Sequence, residues 1–180
     1  GIAGKINEND IKTQTIKESE IIFLEGYLWD EGGPKKAFEK AIINSNKTAM
    51  TLSDQFCVER HKKSFLNLVK EKLDITFANE GEIMSLINAK NFDEVITFAK
   101  QINKHLVITR GEKGAVSIIE DEITEIDAIK NLQIKDLTGA GDLFAAGYLH
   151  GFVNKLSKED CLEKGTELSS KIIQQIGARL

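Results

Sequence analysis

Residues 136–147 read Asp-Leu-Thr-Gly-Ala-Gly-Asp-Leu-Phe-Ala-Ala-Gly and concentrate more chemistry than any other stretch of the chain. Two glycines bracket an alanine directly ahead of a carboxylate, where a strand is expected to give way to a helix. Amides at a helix N-terminus, reinforced by the helix dipole, form an anion site, and Gly139 and Gly141 let a phosphate approach with no Cβ in the way. Ala145, Ala146 and Gly147 behind them allow the helix to pack closely. A passive phosphate cradle would not hold Asp142 at its centre, because its charge repels the ligand. Phosphoryl transfer to a hydroxyl uses a base at that point. The segment therefore points to a phosphotransferase with Asp142 as the base.

Spacing disposes of two other nucleotide motifs. No G-x-x-x-x-G-K-[ST] occurs, and the dinucleotide fingerprint G-x-G-x-x-G fails because Phe144 stands at its third glycine. A plainer alternative is that a glycine-rich turn with an Asp cap merely ends a strand. For an isolated G-x-G that alternative wins; here the surrounding motifs decide.

The elements that must position this turn follow from periodicity. Short β-branched or aromatic runs alternate with amphipathic stretches, the pattern of βαβ units, so the fold class is α/β with a mainly parallel sheet flanked by helices. Strands are expected at 20–24, 48–52, 75–78 and 106–109, with helices after Pro34, over about 57–72, through Ile83, Met84 and Ile87, and over 92–102. Residues 115–119 and 122–126 read as a hairpin turning at Glu120-Asp121, and 132–135 as a further strand. Two last helices are expected at about 141–152 and 158–176. No repeat or linker interrupts the pattern, so residues 1–180 read as a single α/β domain.

With 180 residues, 41% of them hydrophobic, the chain is long and apolar enough to bury a core. No run reaches the roughly 18 to 20 apolar residues of a membrane span, and the polar N-terminus is no signal peptide, so no membrane is implied and a cytoplasmic location is expected. Cys57 and Cys161 lie far apart with no C-x-x-C and read as small apolar residues. A net charge of −4 with scattered lysines argues against nucleic acid as a partner. The chain begins at Gly1, without Met, in a charged, helix-like stretch, as a piece of a longer chain would.

The segment 136–147 closely resembles the C-terminal signature of the ribokinase family, also called the phosphofructokinase-B type carbohydrate kinases. Two further motifs stand in the family's order: Asn79-Glu80-Gly81-Glu82, similar to its Asn-x-x-Glu motif, and Thr109-Arg110-Gly111-Glu112-Lys113-Gly114, similar to its nucleotide loop. The resemblance implies a ribokinase-like fold whose N-terminal half is missing here. It also implies an ATP- and magnesium-dependent kinase acting on a sugar or nucleoside. By the same resemblance Asp142 deprotonates the acceptor hydroxyl, and Gly139, Ala140 and Gly141 stabilise charge on the phosphoryl group in transit. Glu82 organises magnesium through water, Asn79 lies near the ATP phosphates, and Thr109, Arg110, Gly111, Glu112, Lys113 and Gly114 line the nucleotide. Potassium is implied at Asp136 and the backbone of Thr138.

Gly-Tyr-Leu-Trp-Asp at 26–30 and residues 53–61 resemble the adenosine kinase-like branch. Leu137 departs from the small or hydroxylated residue usual at its position. The missing half normally brings most sugar contacts and a lid, so a non-catalytic nucleotide-binding fragment is one alternative and a vitamin-precursor kinase of the same superfamily another. Unpaired strand edges point to a second copy or a separate N-terminal piece as partner.

Other residues have plainer readings beside the functional ones. Tyr27 and Trp29 follow a strand's C-terminal end, where they could stack on a base or pack in the core with equal weight. Arg60 reads as part of a solvated helix face. His61, His105 and His150 lack ligand spacing and are assigned no role.

Overall fold

The structure, a computed structural model, describes residues 2–29 and 32–180. Helix α1 (Thr13–Glu18) precedes strand β1 (Ile22–Glu25), helix α2 (Gly33–Asn44), β2 (Thr48–Thr51) and α3 (Gln55–Asn67). Strand β3 (Ile75–Asn79), α4 (Glu80–Ile87), α5 (Phe92–Ile102), β4 (His105–Thr109), β5 (Ala115–Ile119), β6 (Glu122–Ile126), α6 (Ala140–Val153) and α7 (Lys158–Ile172) follow. The sheet has six strands in the order β1-β2-β3-β4-β5-β6 and is mixed: β1 and β2 run parallel, while β4, β5 and β6 form an antiparallel meander. The chain folds as two compact units, residues 1–76 with 81–95 and residues 77–80 with 96–180.

In the first unit Pro34 occupies the opening turn of α2, as its fixed φ favours, and Ala37, Phe38 and Ala41 form the helix's buried stripe. Trp29 packs in the core, edge-on to Phe38 at 4.9 Å between ring centres, which settles its even odds in favour of packing. Helix α3 starts where Asp54 accepts the Cys57 amide at 2.6 Å, two residues earlier than expected, so Arg60 sits in the helix rather than at its start. Beyond α3 the helix continues to Lys72 as a π-turn, marked by the Leu73 amide donating to the Leu68 carbonyl at 3.0 Å. Leu68, Val69 and Leu73 are thereby all buried.

In the second unit the first four residues of both β4 and β5 are buried without alternation, the mark of strands covered on both faces. The β5–β6 hairpin turns at Glu120-Asp121, with Glu120 in the left-handed region at φ 54°. Helices α6 and α7 meet through glycines: a Cβ on Gly147 would lie 2.5 Å from the Lys164 carbonyl oxygen, and one on Gly165 2.7 Å from that of Phe144. Ala145 is buried, whereas Ala146 is exposed, so the close packing belongs to Gly147 and Ala145 and not to Ala146. Gly147→Ala is expected to destabilise the fold by about 1–3 kcal/mol through overpacking against backbone that cannot yield. A thermal melt beside Ala146→Ser, expected to be near neutral, checks this.

Two expected elements come out differently. Residues 132–135 form no strand: the Lys135 and Asp136 amides donate to the Ile173 carbonyl at 2.8 and 3.3 Å instead of to a ladder. The same two bonds take the carbonyl that α7 needs for another turn, and α7 stops at Ile172 instead of 176.

Candidate functional site

The turn at 136–142 is built from its backbone. Gly139 caps α6 in the left-handed conformation (φ 82°), and a Cβ there would also sit 2.9 Å from the Ala178 Cβ. Asp136 closes the turn on both sides: one carboxylate oxygen accepts the Thr138 amide at 2.9 Å, the other the Gly177 amide at 3.0 Å. Those amides, Gly177 first and Thr138 next, hold the Asp136 carboxyl below the usual carboxylate range. The C-terminal residues Gly177 and Ala178 thus brace the turn, which no spacing in the sequence announces.

Within the turn, the Ala140 amide donates to the Leu137 carbonyl and the Leu143 amide to that of Gly139. Among the described residues the Gly141 and Asp142 amides have no hydrogen-bond partner, and a Cβ on Gly141 would meet nothing within 4 Å. Two amides of a helix's first turn therefore face open space, with an exposed Asp142 beside them. Donors left over at a helix N-terminus suit an anion, and the neighbouring carboxylate suits proton abstraction. Leu137 and Thr138 are exposed at the mouth, Leu137 at 65%.

The second cluster joins two of the other motifs. Thr109 ends β4, Gly111–Lys113 make a single turn, and Gly114 leads into β5. The Arg110 amide donates to the Gly114 carbonyl at 2.8 Å and closes the loop. Glu80 then clamps it: its carboxylate accepts from Arg110 Nε at 3.1 Å and from Lys113 Nζ at 3.3 Å, and Arg110 lies 3.9 Å from Glu125. Burial raises the Glu80 carboxyl, but the hydrogen bonds and charges of Arg110 and Lys113 outweigh it and leave the group below its ordinary value. A depressed carboxylate contributes stability that is whole above its unfolded pKa, about 4.3, and drains away as pH falls through the lower folded value. Glu80→Gln is accordingly expected to loosen loop 109–114 and lower the stability of the fold by about 1–2 kcal/mol. Thermal melts near neutral pH check it, and the difference from the parent should shrink as the solution is acidified.

Asn79 is exposed at the end of β3, next to Glu80. Glu82, by contrast, is only 5% exposed and belongs to the first unit. There its charge adds to the effects raising the Tyr27 phenol to about 12, chiefly burial and then Asp54. Tyr27 is 53% exposed over the whole residue, while its hydroxyl lies against the protein, 3.4 Å from the Ser53 carbonyl oxygen. The structure brings Glu80 to the loop 109–114 and Asp136 to the turn 137–142 within the second unit. Glu80 received no role from sequence, because its partners lie 30 and 33 positions away.

The α/β scaffold thus carries an exposed carboxylate, Asp142, beside an open helix N-terminus. Residues 3–180 match the pfkB family carbohydrate kinase, and the chain belongs to that family. It is similar to the crystal structure of adenosine kinase from Sinorhizobium meliloti, with 35% identity and a TM-score of 0.94 over 98% of this chain and 56% of that one. A nucleoside kinase of Methanocaldococcus jannaschii is 30% identical over 120 residues, 67% of this chain and 39% of the relative. A ribokinase II candidate from Escherichia coli, solved with ATP and magnesium, shares the fold at 17% identity, with a TM-score of 0.86 over 97% of this chain and 59% of that one. The chain thus spans about half the length of such relatives, corresponding to the C-terminal part of the kinase fold. Among the described residues no helix is long and apolar enough to cross a membrane.

Proposed function

We propose that residues 1–180 act as one nucleotide-binding domain of a kinase that moves the γ-phosphoryl group of ATP to a primary hydroxyl of a sugar or nucleoside. The observation carrying this reading is the pair of unpartnered amides at Gly141 and Asp142 beside an exposed carboxylate. Asp142 takes the proton of the acceptor hydroxyl. The new O–P bond forms as the bond from the γ-phosphorus to the bridging oxygen breaks, and ADP leaves. The free amides of Gly141 and Asp142 meet the charge on the transferring group, Gly139 turning the chain and the Ala140 amide being held by Leu137, and Asn79 with Thr109–Gly114 lines the nucleotide.

Magnesium is what the family resemblance implies; it keeps several waters and needs few carboxylates, and the residue assigned to it, Glu82, is 5% exposed. Glu82 would hold it through water, and the ion would neutralise charge on the phosphates. Potassium suits Asp136, whose two oxygens keep lone pairs after accepting two amides, together with the Thr138 carbonyl. A nucleoside acceptor is favoured by the 35% identity to an adenosine kinase and the 30% identity to a nucleoside kinase.

The test is radiolabelled phosphate transfer by the protein at its full natural length to a panel of nucleosides, pentoses and hexoses, with and without potassium. Label on a nucleoside is the expected result. Magnesium-ATP binding without transfer to any acceptor would favour a non-catalytic nucleotide-binding module instead.

A further inference from the structure

His105, Ser117 and Tyr148 meet in the core of the second unit and belong to none of the motifs. His105 Nε2 lies 2.8 Å from Ser117 Oγ, Tyr148 Oη lies 2.9 Å from the same nitrogen, and the two hydroxyls are 3.0 Å apart. The three residues are 5%, 0% and 0% exposed. A closed polar triangle in a dry interior is costly unless every donor finds an acceptor, so such clusters fix geometry closely.

Counting protons assigns the imidazole. Among the described residues these contacts are the only hydrogen bonds of the two hydroxyls. Were Nε2 protonated, three protons would circulate among atoms of which one, Nε2, could accept none, and one buried donor would be orphaned. With Nε2 bare, both hydroxyl protons are placed: Ser117 donates to Tyr148 and Tyr148 to His105, or the reverse sense through Ser117. Burial, ahead of the opposing bond from Ser117, pushes the Tyr148 phenol up and keeps it a donor. His105 is thus neutral, with its proton on Nδ1.

The triangle joins three of the elements that lead to the candidate site. Tyr148 lies on α6, about 9 Å along the helix axis from Asp142. His105 begins β4, which ends at Thr109, and Ser117 lies in β5, which opens just after Gly114. The Tyr148 ring also meets Phe77 edge-on at 5.5 Å, and Phe77 precedes Asn79 on β3. In either sense the helix hydroxyl is tied to both strands, directly or through Ser117, and so resists both sliding along and rotation about the helix axis. We propose that Tyr148, held by His105 and Ser117, is a positioning residue that sets the place of α6, and with it the Gly139–Asp142 turn, against the loop 109–114.

This inference rests on the phosphotransferase reading for its catalytic consequence, and its test has readouts independent of turnover. In the full-length protein, nitrogen-15 spectra of His105 should show the proton on Nδ1, and Tyr148→Phe should move the amide signals of Gly141 and Asp142. The same variant should lower kcat about tenfold while the magnesium-ATP Kd stays within about twofold, because a small misplacement of a base costs rate more than binding. Should Tyr148→Phe fail to fold, Ser117→Ala removes the bond between Ser117 and Tyr148 and keeps the Tyr148 ring packed, with the same signs expected. A proton on Nε2, unmoved Gly141 and Asp142 amides, or an unchanged kcat each overturns the proposal. Absence of turnover in the parent with every acceptor would instead strike the kinase reading, leaving the two spectroscopic outcomes to decide the positioning role.

Discussion

Replacing Asp142 by Ala in the full-length protein should lower kcat by about two to four orders of magnitude, the usual weight of a positioned general base. Asp142 is exposed, and it follows a glycine whose Cβ position opens on empty space. Its removal therefore leaves no cavity and breaks no buried hydrogen bond. A purely structural cap would give the opposite pattern, a lowered melting temperature with turnover largely kept. Steady-state kinetics and a thermal melt on the same preparation separate the two. Activity within a few-fold of the parent would remove Asp142 from the mechanism.

Gly114→Ala should be the most damaging glycine substitution in the second unit. The residue sits at φ 86° and ψ −139°, a region open to glycine alone, and an added Cβ would fall 1.9 Å from the Ile126 carbonyl oxygen and 2.9 Å from the Ala128 amide nitrogen. Backbone strain and overpacking together imply a loss of about 3–5 kcal/mol. Gly111 supplies the control within the same loop: it too has positive φ, at 59°, yet a Cβ there meets nothing within 4 Å. Gly111→Ala should cost only about 1–2 kcal/mol. Equilibrium denaturation of both variants checks the ordering, and equal losses would mean that the packing of residues 126–128 on the loop is not what Gly114 serves.

The contrast between these glycines marks where sequence reading stops. Both stand in one motif and look alike as letters; only the return of the chain at 126–128 tells them apart. Local signals were legible wherever a segment's own neighbours settle it. Helix 92–102 has a strong apolar period, Pro34 opens a helix, and the 115–126 hairpin turns on two polar residues between two runs that carry β-branched residues. Residues 132–135 alternate, Leu-Gln-Ile-Lys, and yet form no strand: the Lys135 amide, with that of Asp136, donates to Ile173 at the end of α7. Alternation reports an extended backbone and not what pairs with it.

The candidate site divides in the same way. The turn 136–142 is legible through its glycine-rich composition taken together with the motifs at 79–82 and 109–114. What steadies it is not. Asp136 is braced by Gly177, loop 109–114 by Glu80, and α6 by two strand residues, all through contacts between residues far apart in the chain. His105 has no ligand spacing and receives no role from sequence; its part emerges only when three buried polar atoms are found within 3.0 Å of one another.

The most direct test of the central claim, that the turn at 136–142 and the loop at 109–114 form a nucleotide site served by a separate base, is calorimetric titration of magnesium-ATP into the protein and its Asp142→Ala variant. Saturable binding by both, with affinities alike within a few-fold, is the predicted result, because Asp142 acts on the acceptor and not on the nucleotide. No binding by the folded parent protein would contradict the account.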